Sequence, residues 1–186
     1  MTSEKLKKGY LLIAEPNPKV EFPFEKSVIL VAEHNKEGSV GFIINKPLKY
    51  KLNEIVPEIY ASFTIYNGGP IEQNNLYFIH NIPEIIVGSI EISDGIFWGG
   101  DYEATKNLIN SGVIKKENVR FFLGYSGWHP QQLENEMENN AWIVSENVQK
   151  NKILNKSISN LWEKKINEIG GDYEIWACSP EDPSLN

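Results

Sequence analysis

Cysteine is nearly absent from this chain of 186 residues, in which Cys178 is the single example. A lone cysteine cannot form a disulfide within the chain, and it cannot supply the paired thiolates of a structural zinc site. The composition therefore fits a reducing compartment best, and we expect a cytoplasmic protein.

Long apolar runs are also missing. Tyr10–Ala14 follows Lys5, Lys7 and Lys8, as in a signal sequence, but this run is shorter than the roughly 7 to 15 residues that a secretory apolar region needs. No run approaches the ~18 apolar residues of a membrane-spanning helix. We therefore expect a soluble protein without a secretory signal or a membrane segment.

Positive charge is scarce as well. The chain has 18 basic and 25 acidic residues, which give a formal charge of -7 and a pI near 5.1. Such a protein repels the phosphate backbone of nucleic acids on average, although an acidic protein can still carry a local basic patch. Direct nucleic-acid binding is therefore disfavoured.

Arginine is the rarest charged residue, because Arg120 is the one arginine among the 18 basic residues. Two interpretations stay open: chance survival of one codon in a lysine-biased chain, or a position that needs a planar, bidentate group. Arg120 enters an apolar strand, so the second interpretation predicts a covered guanidinium with carboxylate or carbonyl partners. The candidate carboxylates are Glu33, Asp101, Glu134 and Glu138.

The sequence does contain many short apolar runs separated by turn residues. With 41% hydrophobic residues, the chain predicts a single domain over residues 1–186, with 1–8 and 180–186 loosely held. The runs follow one another with few helical segments between them, which predicts an α+β fold with a mixed, largely antiparallel sheet and about three helices. Predicted strands are Tyr10–Ala14, Ser27–Ala32, Val40–Ile44, Phe63–Tyr66, Leu76–His80, Ile85–Ile92 (one strand, or a pair broken at Gly88) and Ile96–Trp98. Predicted helices cover Leu52–Val56, Asp101–Ser111 and Leu154–Ile169.

The stretch Arg120–Trp142 has the pattern of a site. A buried strand over Val119–Leu123 is predicted to end at Gly124, to turn around Ser126 and to restart as a helix behind Pro130. A turn at a helix N-terminus presents free backbone N–H groups, which here would be those of Gln131, Gln132 and Leu133. Two interpretations of this stretch stay open: a structural turn, in which Ser126 bonds to local backbone and Trp128 packs over the helix start, or a site in which the Ser126 hydroxyl and these N–H groups bind an anion or a polar ligand.

Four ordered motifs carry a resemblance to a known family. They are SVILVAEHNKEGSVGFIINKP at Ser27–Pro47, GGP at Gly68–Pro70, ISDGIFWGGD at Ile92–Asp101 and RFFLGYSGWHPQQLENEMENNAW at Arg120–Trp142. From Gly9 onward the chain resembles the AlgH/YqgE family of uncharacterised bacterial proteins. The resemblance implies a compact α+β fold whose sheet curls into a pseudo-barrel with peripheral helices. It also implies the family label of transcriptional regulator, which has no known DNA-binding motif or chemistry behind it. Many relatives have glycine where this chain has Gln131.

A hydrolase is the alternative reading of Gly124–Trp128. A nucleophile elbow needs glycine two residues before and two after the serine, whereas here Trp128 occupies the second position. The histidines His34, His80 and His129 lack metal-binding spacing, and the glycine pairs lack a nucleotide-binding pattern. The residues therefore point to no metal and no cofactor, and they assign no catalytic residue.

We therefore expect a non-catalytic cytoplasmic protein that binds a small polar ligand or a protein partner, with a regulatory role; the alternative is a hydrolase that uses Ser126. The non-apolar motif residues are expected to lie on one side of the molecule with the Ser126 turn, because they need a shared reason to be there. The candidate binding residues are Ser126, Gly127, Trp128, Gln132, Arg120, His34, Asn45, Lys46, Gly68 and Gly69.

Overall fold

A computed structural model describes residues 6–16, 20, 23–146, 152–155 and 160–173. The strands of this part are β1 (Leu11–Ala14), β2 (Val28–Asn35), β3 (Gly38–Ile43), β4 (Pro47–Lys51), β5 (Thr64–Asn67), β6 (Ile71–His80), β7 (Ile90–Ser93), β8 (Ile96–Trp98), β9 (Val119–Trp128) and β10 (Trp142–Ser145). The helices are α1 (Leu52–Ile55), α2 (Tyr102–Asn110), α3 (Gln132–Glu138), α4 (Lys152–Asn155) and α5 (Leu161–Ile169), followed by a 3-10 turn at Gly171–Tyr173. The α+β prediction is confirmed.

All ten strands belong to one large, mostly antiparallel sheet in the order β10-β1-β2-β3-β9-β6-β8-β7, with β4 joined to β5 and β5 joined to β9. The sheet curls, and this brings the segment before β1 against β7. Lys8 Nζ donates to the Glu91 carbonyl at 2.8 Å, and Gly9 lies against Ser93. The sheet does not close, and β10 and β7 remain its ends. The pseudo-barrel implied by the family resemblance is therefore an open, curled sheet.

Strand β9 lies at the centre of this sheet. One edge of β9 pairs antiparallel with β6; the other pairs parallel with β5 over Phe121–Leu123 and antiparallel with β3 over Ser126–Trp128. The predicted end of this strand at Gly124 is wrong, and so is the turn around Ser126. Backbone pairing on both edges carries the strand through Gly124, whose φ of 68° is accommodated as an irregularity within the strand.

The strands predicted at Ser27–Ala32 and Val40–Ile44 form a hairpin, and both extend into the polar segment between them. The pairing of β2 with β3 extends to Asn35 and Gly38, which leaves Lys36 and Glu37 as the turn. Asn35 Oδ1 accepts the Glu37 N–H at 2.7 Å, a local bond that favours a tight turn. The ladder also shifts register near Ala32.

The buried side chains form two clusters. The larger includes Phe42 and Phe122, whose rings stack at 4.9 Å, and it extends beneath α3 and α5. The smaller includes Phe121 and Ile109 and lies beneath α2. Neighbouring residues of β9 therefore belong to different clusters, as the alternation of side chains along a strand requires.

The helices largely follow their predicted signals. Asp101 Oδ1 caps α2 by accepting the Ala104 N–H at 3.0 Å, and α5 ends at Gly170 with φ 74°. The helix predicted over Leu154–Ile169 consists of α4 and α5, while residues 156–159 lie outside the described part. No helix among the described residues is long and apolar enough to cross a membrane.

Other expectations need correction. Of the one or two strands expected over Ile85–Ile92, the structure has β7 after Gly88, whereas the chain before Gly88, where φ is 80°, is not a strand. Of the terminal segments expected to be loose, residues 1–5 and 180–186 lie outside the described part, whereas Leu6 packs into the core.

Candidate functional site

Ser126 is a buried residue of β9. Its Cα faces Gly41 of β3, and its Oγ donates a hydrogen bond to the Gly68 carbonyl at 3.0 Å. The side chain is fully shielded from solvent and already has a partner. The hydroxyl therefore stabilises the sheet, and it is not presented to a ligand at the surface.

Gly68 joins three strands at one point. Its N–H donates to the Leu123 carbonyl at 2.8 Å, and its carbonyl accepts both the Ile43 N–H at 3.0 Å and the Ser126 hydroxyl. A Cβ at Gly68 would stand 2.1 Å from the Gly124 carbonyl oxygen. Glycine is therefore needed here for close approach of two backbones, which explains the GGP motif structurally.

Arg120 lies inside the curled sheet with 4% of its surface exposed. Its Nη1 donates to the Ile44 carbonyl at 3.0 Å, and its guanidinium lies 4.4 Å from the centroid of the Tyr66 ring. Burial lowers the pKa of Arg120 to about 10, so the group keeps its charge at neutral pH. The predictions that the Arg120 guanidinium is buried and that it has a carbonyl partner are confirmed. Two of the candidate carboxylates act elsewhere: Asp101 caps α2 and Glu134 approaches a histidine.

Asn45 and Lys46 hold the segment that precedes β2. Asn45 is buried, accepts the Val28 N–H at 2.8 Å and donates to the Lys26 carbonyl at 2.9 Å. Lys46 Nζ donates to the Pro23 carbonyl at 2.9 Å. Both side chains therefore fasten one stretch of backbone to the end of β3, which gives their place in the motif a structural reason.

His34 connects the β2–β3 hairpin to α3. Its Nδ1 shares a 2.8 Å hydrogen bond with Ser39 Oγ, and its Nε2 lies 3.9 Å from Glu134 Oε1. This serine, histidine and carboxylate have the composition of a hydrolase triad. Ser39, however, lies within a β-strand at 5% exposure, so its oxygen is not projected toward a substrate by a strained turn, as that of a nucleophile elbow is.

Glu136 binds α3 to the sheet. Its Oε2 accepts the indole N–H groups of Trp128 at 2.9 Å and Trp142 at 2.7 Å, and its Oε1 accepts the Gln132 amide at 2.9 Å. Of the three glutamates of α3, Glu138 is exposed and the Glu134 side chain is 46% exposed, as the alternation of these residues on the helix predicts, whereas Glu136 is turned toward the sheet. The two tryptophans also pack edge to face at 6.0 Å.

One of the three backbone N–H groups predicted to be free at the start of α3, that of Gln132, has a partner within the chain. The Gln132 N–H donates to the His129 carbonyl at 3.0 Å, and Gln132 Oε1 accepts the His129 N–H at 3.0 Å. Gln131 takes the left-handed conformation with φ 64°, which glycine adopts without strain. The glycine of many relatives at this position therefore has a backbone explanation.

A groove lies beside the β2–β3 hairpin, over the paired ends of β3 and β9. Its cavity measures about 300 Å³, and its floor includes Ile71, Tyr125 and Gly127. Three polar residues of the hairpin line its rim: Glu33, Asn35 and Glu37. The complete lining is Glu33, Asn35, Glu37, Gly38, Ser39, Val40, Ile71, Tyr125, Gly127, Trp128 and His129.

An aromatic chain leads from the interior of the sheet to this groove. Phe122 stacks on Phe42, Phe42 meets Tyr77 at 6.0 Å, and Tyr77 meets Tyr125 edge to face at 5.5 Å. In a regular strand, residues three apart face opposite sides, yet Phe122 and Tyr125 share this chain. The irregularity at Gly124 permits this arrangement, and the groove continues the concave face of the sheet.

The predicted site residues thus divide into two groups. Gly127 and Trp128 line the groove, Trp128 with its indole N–H turned toward Glu136. The other eight side chains or backbones are engaged in internal contacts of the fold. Glu33, Asn35 and Glu37 at the rim are not among the predicted site residues. Their only signal in the sequence is a polar, acidic segment between two apolar strands.

His80 is a buried histidine outside the groove. Its Nε2 pairs with the Gly99 carbonyl at 3.2 Å, and its Nδ1 accepts the Ile82 N–H at 3.3 Å. Burial lowers the pKa of His80, because the charged form loses its hydration. Within the described part of the chain, no three His, Cys, Asp or Glu side chains are arranged to hold a metal ion.

These features define an α+β protein built on an open, curled antiparallel sheet, with a polar groove on its concave face and no exposed nucleophile and base at the predicted position. The chain belongs to the AlgH-like family, whose sequence profile matches residues 11–174.

Curated relatives of similar length support this assignment. A UPF0301 protein of Chlorobium limicola is 41% identical over 98% of this chain and 97% of its own length. A UPF0301 protein of Cytophaga hutchinsonii is 38% identical over 97% of this chain and all (100%) of its own length.

Two solved structures share the fold. The solution structure of AlgH from Pseudomonas aeruginosa matches with a TM-score of 0.72 and 21% identity, over 98% of this chain and 100% of that chain. The crystal structure of a Corynebacterium diphtheriae protein matches with a TM-score of 0.74 and 20% identity, over 96% and 95% of the two chains.

Proposed function

We propose that this protein is a non-catalytic binding protein of the cytoplasm, with a regulatory role that it exerts by holding a small polar ligand or part of a protein partner in the groove. The observation that carries the proposal is the lining of the groove. Exposed polar groups of the hairpin stand beside an apolar and aromatic floor, which is the combination found in ligand sites.

The state of Ser126 supports binding over hydrolysis. A serine nucleophile needs a base within hydrogen-bond reach and open access for the substrate. The Ser126 hydroxyl is buried and donates to a backbone carbonyl, while His34 pairs with Ser39 and His80 with Gly99. Neither of these two histidines is hydrogen-bonded to Ser126.

The proposal is tested by amide NMR on labelled protein with a metabolite library and, separately, a peptide digest of a bacterial lysate. We expect shifts at Gly38, Gly127 and His129, and none along Tyr102–Asn110 on the remote helix α2. If no fraction shifts the groove amides, or if α2 shifts instead, the groove is not the binding site.

A second measurement addresses the hydrolase alternative. We expect the wild type and Ser126→Ala to hydrolyse p-nitrophenyl butyrate equally slowly, at the rate of buffer alone. Folding of Ser126→Ala is checked by circular dichroism, because the variant loses a buried hydrogen bond. Turnover by the wild type that disappears in a folded Ser126→Ala would contradict the non-catalytic proposal.

A further inference from the structure

We propose that the groove receives an arginine or lysine side chain from an extended segment of a protein partner. This inference rests on the proposed function and specifies the chemistry of the occupant. It is carried by the unneutralised carboxylates at the rim, the apolar floor beneath them and the open position of the groove on the hairpin.

The rim presents two exposed carboxylates without a cation. Within the part of the chain that the structure describes, neither Glu33 nor Glu37 takes part in an ion pair. Asn35 lies between them, and its Nδ2 donates to Glu33 Oε1 at 2.8 Å. The bond holds the Glu33 carboxylate at the rim, where its second oxygen can accept a hydrogen bond from a cationic group.

The floor suits the alkyl stem of a long basic side chain. Tyr125 is half-buried and is held edge to face by Tyr77 at 5.5 Å, so its ring has a defined position. Ile71 pairs with Tyr125 across the β6–β9 ladder and completes the apolar surface. A stem of methylene groups can pack there while its charged end reaches the rim.

Lys36 allows a test of the proposed preference of the groove for a cation. It is exposed in the turn between the two strands, and it is the one basic residue between Glu33 and Glu37. With two glutamates and one lysine, the segment 33–37 has a formal charge of -1 when His34 is neutral. Removal of Lys36 should therefore strengthen the binding of a cation, and removal of the glutamates should weaken it.

The open rim favours a partner protein over a free cation. Glu33, Asn35 and Glu37 are all exposed, and ion pairs in contact with water contribute little by themselves. A free amine would gain only these screened contacts. A segment of a partner also places its backbone against Gly38 and Val40 and buries more surface, so its affinity exceeds that of the side chain alone.

The test is an amide NMR titration with a short glycine-serine peptide that carries one central arginine, and with the same peptide carrying glutamine or glutamate instead. We expect the arginine peptide to shift Gly38, Gly127 and His129, with a dissociation constant that rises with ionic strength. The double variant Glu33→Gln/Glu37→Gln should weaken binding about fivefold or more, whereas Lys36→Gln should tighten it.

Glu84→Gln/Glu117→Gln is the matched control. Both residues are exposed near the opposite end of β9, and both double variants raise the formal charge from -7 to -5. We expect the control to bind the arginine peptide like the wild type. Equal weakening by both double variants would mean that overall charge, and not the groove, attracts the peptide, and would overturn the inference.

The remaining outcomes separate this inference from the proposed function. Groove shifts that are the same for all three peptides would overturn the cation preference and leave the groove as a binding site. Arginine amide or spermidine binding as tightly as the peptide would identify a small cation and overturn the partner segment. If the arginine peptide does not shift the groove amides but a metabolite fraction does, the inference of a cationic partner segment is overturned and the proposed binding function stands.

Discussion

Arg120 brings the one guanidinium of the chain into the interior of the sheet. A buried charge is costly unless donors and acceptors are matched, and here a backbone carbonyl and the face of Tyr66 provide the match. The planar group can donate to Ile44 while it lies over the ring. A lysine ammonium has no planar face for the ring and no fork, so it cannot reproduce both contacts.

We therefore expect Arg120→Lys to lower the free energy of unfolding by about 1 to 3 kcal/mol, measured by urea denaturation. Lys116→Arg is the control, because Lys116 is exposed and should leave the urea midpoint unchanged. An unchanged urea midpoint for Arg120→Lys would favour the other interpretation, in which the single arginine codon survives by chance.

His80 gives the fold a dependence on pH. Ile82 donates to Nδ1, so the folded state needs the neutral ring, and burial lowers its pKa below the ordinary 6.5. The unfolded chain therefore takes up the proton first as the pH falls. The stability that His80 contributes is complete above about pH 6.5 and is lost as the pH falls below that value toward the folded pKa.

We expect the wild type to lose more stability than His80→Asn between about pH 7.5 and pH 5.5. Urea denaturation of both proteins at both pH values measures this difference, and contributions from other groups cancel in the comparison. Parallel losses in the two proteins would show that His80 does not titrate in this range.

Among the elements, β9 depends on an irregularity at Gly124. Its φ is 68°, and an added Cβ would lie 2.6 Å from the Ile71 carbonyl oxygen and 2.7 Å from that of Gly69. The residue therefore combines a left-handed backbone with close packing against the segment 69–73. These two requirements can be separated, because Gly112 has a similar φ of 76° and open space around its Cα.

Gly112→Ala should cost roughly 1 to 2 kcal/mol for the backbone conformation alone. Gly124→Ala should cost more than about 3 kcal/mol, because steric overlap adds to the same conformational cost. Thermal or urea unfolding measures both. Equal costs would mean that the neighbouring strands move apart easily at Gly124.

Helix α3 is attached to the sheet through one carboxylate. Glu136 accepts three N–H groups, and a glutamine in its place would keep one acceptor oxygen and turn an amide toward donors. We expect Glu136→Gln to destabilise the fold by about 1 to 3 kcal/mol and to change the tryptophan fluorescence.

Glu138→Gln is the matched change on the same helix, because Glu138 is exposed, and it should change stability by less than about 0.5 kcal/mol. Similar small effects of the two substitutions would show that Trp128 and Trp142 are held by packing without the carboxylate.

For the whole molecule, the two core clusters share one strand. Phe121 belongs to the cluster beneath α2, and Phe122 belongs to the cluster inside the curled sheet. Unfolding of β9 would disrupt both clusters at once, so the two cores should unfold together as a single domain.

We expect one urea transition in which tryptophan fluorescence and far-ultraviolet circular dichroism change with the same midpoint. The fluorescence reports chiefly on Trp128, Trp142 and Trp162 of the larger cluster, whereas the dichroism averages over both. Two separated midpoints would contradict the single domain.

The sequence by itself determined the class of fold, the family and much of the local structure. Asp101 before an amphipathic run is sufficient to start α2, because a cap acts within one turn, and Gly170 ends α5 for the same local reason. The Asp94–Gly95 turn between β7 and β8 is equally local.

Only the tertiary structure decided the course of β9 and the position of the groove. Glycine at 124 is typical of a turn, and it lies within a strand here because β3, β5 and β6 supply backbone partners from distant parts of the chain. The same pairings bury Ser126 and bring Ile71 and Tyr125 beneath the hairpin. Local pattern cannot specify such contacts, because the free energy that selects them comes from strands that meet only in the folded molecule.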